Sequence, residues 1–177
     1  MRTMTTVVLG PAPPELEELI ARRKRLGLDK HDEVWEGVYH MAPDARFNHG
    51  ELTVQLACLL RPIARSKDLF VTSPFNIGRH KDDFRVPDLG VHREHLGDTV
   101  WVPTAAIVVE VLSPHDESMQ KFDFYSSRGV EEVWIVDGHS RRVRIFTDPG
   151  TNGYDETGLS RVLERSAAEI EAQIDWR

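Results

Sequence analysis

Ala105–Pro114 reads AAIVVEVLSP, and this run constrains the fold more than any other part of the chain. Its β-branched, almost unbroken apolar character is that of a central strand buried on both faces. A helix is expected next, with Ser113 as cap and Pro114 at its first position, running to about Arg128 and closed by Gly129. A second apolar strand, Glu131–Asp137 (EEVWIVD), follows. Strand, helical crossover and strand imply parallel pairing of the two strands. One residue is out of place in the first of them: Glu110. An ionised carboxylate in an apolar setting costs several kcal/mol unless a cation or hydrogen bonds compensate. Three accounts compete: a structural ion pair, a carboxylic acid with a raised pKa, and a metal ligand.

The segments before this strand complete a layered core. Pro14 opens a helix to about Leu26, stopped by Gly27, whose stripe of Leu16, Leu19, Ile20 and Arg23 marks a short cover helix. Glu33–Met41 alternates as a strand weakened by Gly37. Asn48–Arg65 is the first major helix, with Leu52, Leu56, Leu59, Leu60 and Ile63 on one face. Asn48 is its expected N-cap and Glu51 closes a capping box; His49 lies at the start of the inward face. Leu69–Ile77 is strand-like, Gly78–Asp83 is a polar turn, and Phe84–Arg93 is a second strand. Its Val86, Asp88, Gly90 and His92 share one face. Pro87, with no N–H, belongs at a bulge or a break in the ladder. After Asp137-Gly138 turns the chain, Arg141–Thr147 is half-exposed, Ser160–Glu164 adds a further strand, and Ser166 with Glu169 caps a last helix ending near Trp176. The centre therefore spells helix, strand, strand, strand, helix, strand: an α/β chain with a mixed sheet and helices packed on it.

The 177 residues, with no repeat or linker, form one domain by this reading, residues 1–32 as an N-terminal extension and 33–177 as the core. A single cysteine, Cys58, excludes a disulfide framework and a Cys-rich zinc site; within its apolar helix it reads as packing. No apolar run is long enough to cross a bilayer, and the N-terminus does not read as a signal peptide, so a cytoplasmic location is expected. The net charge of −7 argues against a broad basic face for nucleic acid without excluding a local groove. The clusters Arg22–Arg25 and Arg141, Arg142 and Arg144 read as solvated faces.

Asp88 and Glu110 lie on successive strands expected to be antiparallel neighbours. Strands run about 4.8 Å apart, so the two carboxylates converge if the register allows. Two such groups repel unless a proton or a cation sits between them. Hard oxygen donors without a His pair or a Cys favour Mg²⁺, with Mn²⁺ as a substitute. A strand lysine two residues after Glu110 would complete a phosphoryl-transfer site, but that position is Leu112. Lys121, in the following helix, is the nearest alternative, with Tyr125 one turn later.

The ordered set P87-D88, E110-V-L-S-P, K121-F-D-F-Y and G129-V-E-E-V-W-I-V-D resembles the PD-(D/E)XK nuclease superfamily, and more closely its branch of restriction-endonuclease-like proteins with the lysine in the helix. The similarity spans roughly Glu33 to Trp176. It implies a restriction-endonuclease-like fold and metal-dependent hydrolysis of phosphodiester bonds in DNA. By the same carry-over, Asp88 and Glu110 hold Mg²⁺, the main chain at Val111 adds a carbonyl ligand, Lys121 replaces the strand lysine, and His49 lines the site. A homodimer would suit cutting both strands of a symmetric site. The competing account is a non-catalytic binding or assembly module in which Glu110 is simply ion-paired with Lys121. A phosphoesterase acting on RNA or nucleotides is a third. The other seven histidines show no ligand spacing and read as surface or strand residues.

Overall fold

A computed structural model describes residues 13–42, 46–113, 117–148, 150 and 153–176. In chain order the elements are α1 (Pro14–Leu26), β1 (Glu33–Trp35), β2 (Val38–His40), α2 (Phe47–Arg65), β3 (Phe70–Thr72), β4 (Asn76–His80), β5 (Asp83–Arg85), β6 (Leu89–His92), β7 (Trp101–Val102) and β8 (Ile107–Val111). A 3₁₀ turn over Ser118–Lys121 leads into α3 (Phe122–Ser127), followed by β9 (Glu132–Asp137), β10 (Arg142–Thr147), β11 (Asp155–Glu156), β12 (Leu159–Ser160), β13 (Arg165–Ser166) and α4 (Ala167–Glu171).

The main sheet runs β11-β10-β9-β8-β6-β3. β8 is buried at every position and lies antiparallel to β6 and parallel to β9, as an apolar strand followed by a helical crossover requires. Alternation then sends its side chains into two cores. Ile107, Val109 and Val111 meet Leu52, Leu56 and Leu60 of α2, together with Trp134 and Ile170. Val108 faces the other way, toward Phe124, Tyr125, Val133 and Ile135 under α3. Glu110 shares the Val108 face, so the acid points into the α3 side of the sheet. The core order helix, strand, strand, strand, helix, strand is α2, β3, β6, β8, α3, β9.

A second sheet, β2-β1-β5-β4-β7, joins the first, and here the sequence reading needs correction. Glu33–Met41 is a hairpin, not one strand: Glu36 and Gly37 both take positive φ (48° and 86°), the geometry of a two-residue type I′ turn. The expected strand Leu69–Ile77 divides into β3 and β4 of different sheets, and β4 runs on through Gly78–His80, where a polar turn was expected, to close a hairpin with β5. Phe84–Arg93 divides at Val86-Pro87-Asp88 into β5 and β6, which belong to different sheets; proline at the break fits its missing donor.

Local details also shift. α1 and its Gly27 stop (φ 66°) lie where expected, yet α1 buries none of its residues; Arg23 instead clamps Asp32 at 2.7 Å. α2 begins one residue early, with Arg46 at the N-cap and no side-chain cap; Glu51 bonds Gln55 rather than closing a box. Cys58 is exposed, because the helix face inward at Leu56 and Leu60 turns residue 58 outward. Pro114 lies outside the described residues, and the helical run that follows begins as a 3₁₀ turn at Ser118. The Ser166–Glu169 capping box is present. Among the described residues no helix is long and apolar enough to cross a membrane.

Candidate active site

Cross-strand register brings the two acids together. β6 and β8 pair Leu89 with Val109 and Gly90 with Val108; one further step sets Asp88 opposite Glu110, and opposed residues share a face. Asp88 sits just outside the ladder, and its Oδ2 accepts the Val111 N–H at 2.8 Å. Glu110 of β8 and Leu112 just beyond it turn their main chain toward β9, as the Leu112 N–H to Val136 carbonyl bond of 2.8 Å shows. The main-chain groups of Val111 therefore face the Asp88 side. The other Asp88 oxygen, Oδ1, lies 2.8 Å from His49 Nε2 at the first turn of α2, and His49 Nδ1 lies 3.3 Å from the Ser113 hydroxyl. Ser113, read from sequence as a helix cap, thus helps orient His49.

Glu110 is buried and accepts two bonds on Oε1, from Lys121 Nζ at 2.9 Å and from the Tyr125 hydroxyl at 2.5 Å. The 3₁₀ turn ending at Lys121 and the start of α3 bring these two side chains over the end of β8. Leu112, at the position a strand lysine would occupy, packs instead against the α3-side core.

A third acid completes the cluster. Glu33, on β1 of the second sheet, is buried and its Oε1 lies 2.8 Å from Lys121 Nζ. The same oxygen accepts the Val86 N–H at 2.8 Å, and Oε2 accepts Trp35 Nε1 at 2.6 Å. Sequence reasoning passed over Glu33, because an acid opening a short alternating strand looks like an ordinary exposed position. Its partners lie 53 and 88 residues away, and nothing local marks it.

The charge balance follows from this geometry. Burial pushes the Glu110 carboxyl up from about 4.5 to about 7, and the nearby Asp88 and Glu33 carboxylates add to that, against the pull of Lys121 and Tyr125. Lys121 is raised: burial alone would lower it, but Glu110 and Glu33 outweigh burial. Tyr125 is raised by burial and by the same two carboxylates. One lysine shared between two glutamates stays charged, while Glu110, facing Asp88 as well, is left short of positive charge.

Three sequence-derived site residues, Asp88, Glu110 and Lys121, occupy one connected cluster, with His49 and Val111 each bonded to Asp88. Among the described residues no three Asp, Glu, His or Cys side chains form a metal-binding group. A cation here would rely on two carboxylates and a main-chain carbonyl. That donor set, with its excess of acid, suits a hard ion that keeps several waters.

A profile of the Uma2 family, described as "Putative restriction endonuclease", matches residues 14–175. The chain belongs to the Uma2 family. Comparison with curated proteins gives no match. Among solved structures, the chain is similar to one described as "a putative nuclease belonging to DUF820" from Anabaena variabilis, with a TM-score of 0.62 at 12% identity over 80% of this chain and 90% of that one. The shared fold is the restriction-endonuclease-like one, as the P-D, E-V-L-S-P and lysine pattern implied.

Proposed function

We propose that this Uma2 chain is a Mg²⁺-dependent endonuclease that hydrolyses phosphodiester bonds in DNA. The observation that carries the reading is the convergence of Asp88, Glu110 and the Val111 main chain at one end of β6 and β8, beside a buried lysine. Asp88, Glu110 and the Val111 carbonyl would hold the ion, with Mn²⁺ as a substitute. When bound, Mg²⁺ supplies a water of lowered pKa and neutralises charge on the phosphoryl group. The chain's own residues do the rest. His49 fixes the carboxylate plane of Asp88 from the opposite side to Val111. Lys121 keeps an ammonium beside Glu110, where it stabilises the charge that develops on the phosphate. Tyr125 holds Glu110 in place. A homodimer would set two such sites against the two strands of a duplex.

Asp88→Ala and Glu110→Ala are each expected to lower Mg²⁺-dependent cleavage of plasmid DNA by at least about 10³-fold, with the circular dichroism spectrum retained. Cleavage that survives both substitutions contradicts the reading. A parallel panel of duplex DNA, single-stranded DNA and RNA tests the substrate.

The 2.9 Å Lys121–Glu110 pair supports a second reading, a non-catalytic binding module in which the lysine alone compensates the acid. Calorimetry separates the two, since that module binds neither Mg²⁺ nor Mn²⁺.

A further inference from the structure

Among the described residues, Lys121 Nζ bonds Glu110 on β8 and Glu33 on β1, both outside its own helical segment. It stands in for a strand lysine, yet it reaches the sheet from a short 3₁₀ turn, and a four-carbon side chain on such a mount has many rotamers. What limits them is Glu33. We infer that Glu33 is a positioning residue for Lys121, the part that makes a lysine displaced from the strand serve this site. The inference rests on the nuclease reading above and adds to it a residue from the second sheet.

The geometry is a relay of fixed contacts. Glu33 is itself held at both oxygens by neutral donors, the Val86 N–H and Trp35 Nε1, so its carboxylate cannot swing toward the lysine or away from it. Val86 lies two residues before Asp88, and one Glu33 oxygen accepts from both Val86 and Lys121. The distance between the lysine and the Asp88 segment is thereby set through a single atom. An ammonium carries three N–H donors. Glu33 and Glu110 take one each, and two fixed acceptors determine where the third points.

The surroundings of β1 support a built clamp rather than a chance contact. His40, on the paired strand β2, stacks on Trp35 at 4.0 Å between centroids and its Nδ1 lies 3.4 Å from Glu117, at the foot of the 3₁₀ turn. Arg85 of β5 is buried with its guanidinium 4.7 Å from the Trp35 ring and 3.9 Å from the Phe124 ring of α3. The hairpin that carries Glu33 is thus fastened to the lysine-bearing segment at three points.

Glu33→Gln keeps the shape and an acceptor for Val86 while removing the charge; Glu33→Asp keeps the charge one methylene short. Each is compared with wild type by steady-state cleavage, Mn²⁺ calorimetry and the ¹H–¹⁵N signal of the Lys121 ammonium, assigned by its loss in Lys121→Met. Both variants are expected to lower kcat about 10- to 100-fold, the range for residues that orient a metal-site group. KM and the Mn²⁺ Kd should stay within about threefold, and the ammonium signal should broaden away as solvent exchange speeds up. A kcat within about twofold of wild type overturns the inference, as does an unchanged ammonium signal. A wild-type protein that does not cleave overturns the nuclease reading instead. The ammonium signal then decides alone: lost in Glu33→Gln, Glu33 holds the lysine; retained, it does not.

Discussion

Two glutamates lie buried on the two central parallel strands, Glu110 on β8 and Glu132 on β9, and they are buried in opposite ways. Glu132, on the α2 face, spreads its bonds over both oxygens. Oε1 accepts the Arg161 and Val162 N–H groups at 2.6 and 2.9 Å, and Oε2 accepts Trp134 Nε1 at 3.0 Å. All three donors are neutral and belong to the scaffold. Glu110, on the α3 face, takes both of its bonds on Oε1, one of them from an ammonium, and faces a second acid across the ladder. Oε2 makes no hydrogen bond among the described residues. Burial of an acid is therefore not in itself a sign of chemistry. A carboxylate whose oxygens are both engaged by neutral scaffold donors is a structural clasp; under the nuclease reading proposed above, one with a spare oxygen, a lysine and an acidic neighbour would hold a cation.

The sharpest way to break this contrast is to remove the cation that the acids share. Lys121→Met leaves Glu33 and Glu110 buried without their charge partner, and about 3–5 kcal/mol of stability should be lost in urea unfolding. A loss under 1 kcal/mol would mean that the acids are already neutral in the folded protein. Glu132→Ala comes next. It strands one buried indole N–H and two partly buried backbone N–H groups, so about 2–4 kcal/mol should disappear, while cleavage per folded molecule stays near wild type. Equal losses of cleavage in Glu132→Ala and Glu110→Ala would erase the distinction between clasp and site.

The sequence carried only part of this contrast. Glu110 stood out because IVVEV is apolar on both sides, and a family pattern of P-D, E-V-L-S-P and lysine gave it company. Glu132 sits in an equally apolar strand, but its position at the strand start, after Glu131, reads as an exposed edge. Only the return of Arg161 and Val162 from 29 and 30 residues away encloses it. Glu33 was hidden for the same reason, and the sheet containing it was misread because the Glu36-Gly37 turn looked like a weak point in one strand. The antiparallel pairing of the strands next to Asp88 and carrying Glu110 was legible from their apolar runs, whereas the register was left open by the sequence and is fixed by the buried face they share. Long-range contacts made by single polar atoms leave no periodic trace, and these were the features missed.

A pH series sharpens the same comparison with a smaller signal. Glu110 binds its proton more tightly in the folded protein, near 7, than in an unfolded chain, near 4.5. Protonation therefore favours folding: the contribution is complete below about 4.5 and is lost as the pH rises through 7, amounting to at most about 3 kcal/mol. Metal-free wild type should lose stability across this interval relative to Glu110→Gln, and Mg²⁺ should reduce the difference. A wild-type curve parallel to that of Glu110→Gln would contradict the charge shortage at this acid. Tyr125→Phe is the mildest change. Removing one hydroxyl donor from Glu110 should cost about 1 kcal/mol and deepen the fall in stability with pH, whereas a shallower fall would show that the hydroxyl does not support the ionised carboxylate.

The most direct measurement is calorimetric titration of Mn²⁺ into wild type, Asp88→Asn, Glu110→Gln and Glu132→Gln. The account predicts one site in wild type and in Glu132→Gln, and none in Asp88→Asn or Glu110→Gln. Binding that persists in Asp88→Asn and Glu110→Gln, or its absence from wild type, would contradict a cation site between these two strands.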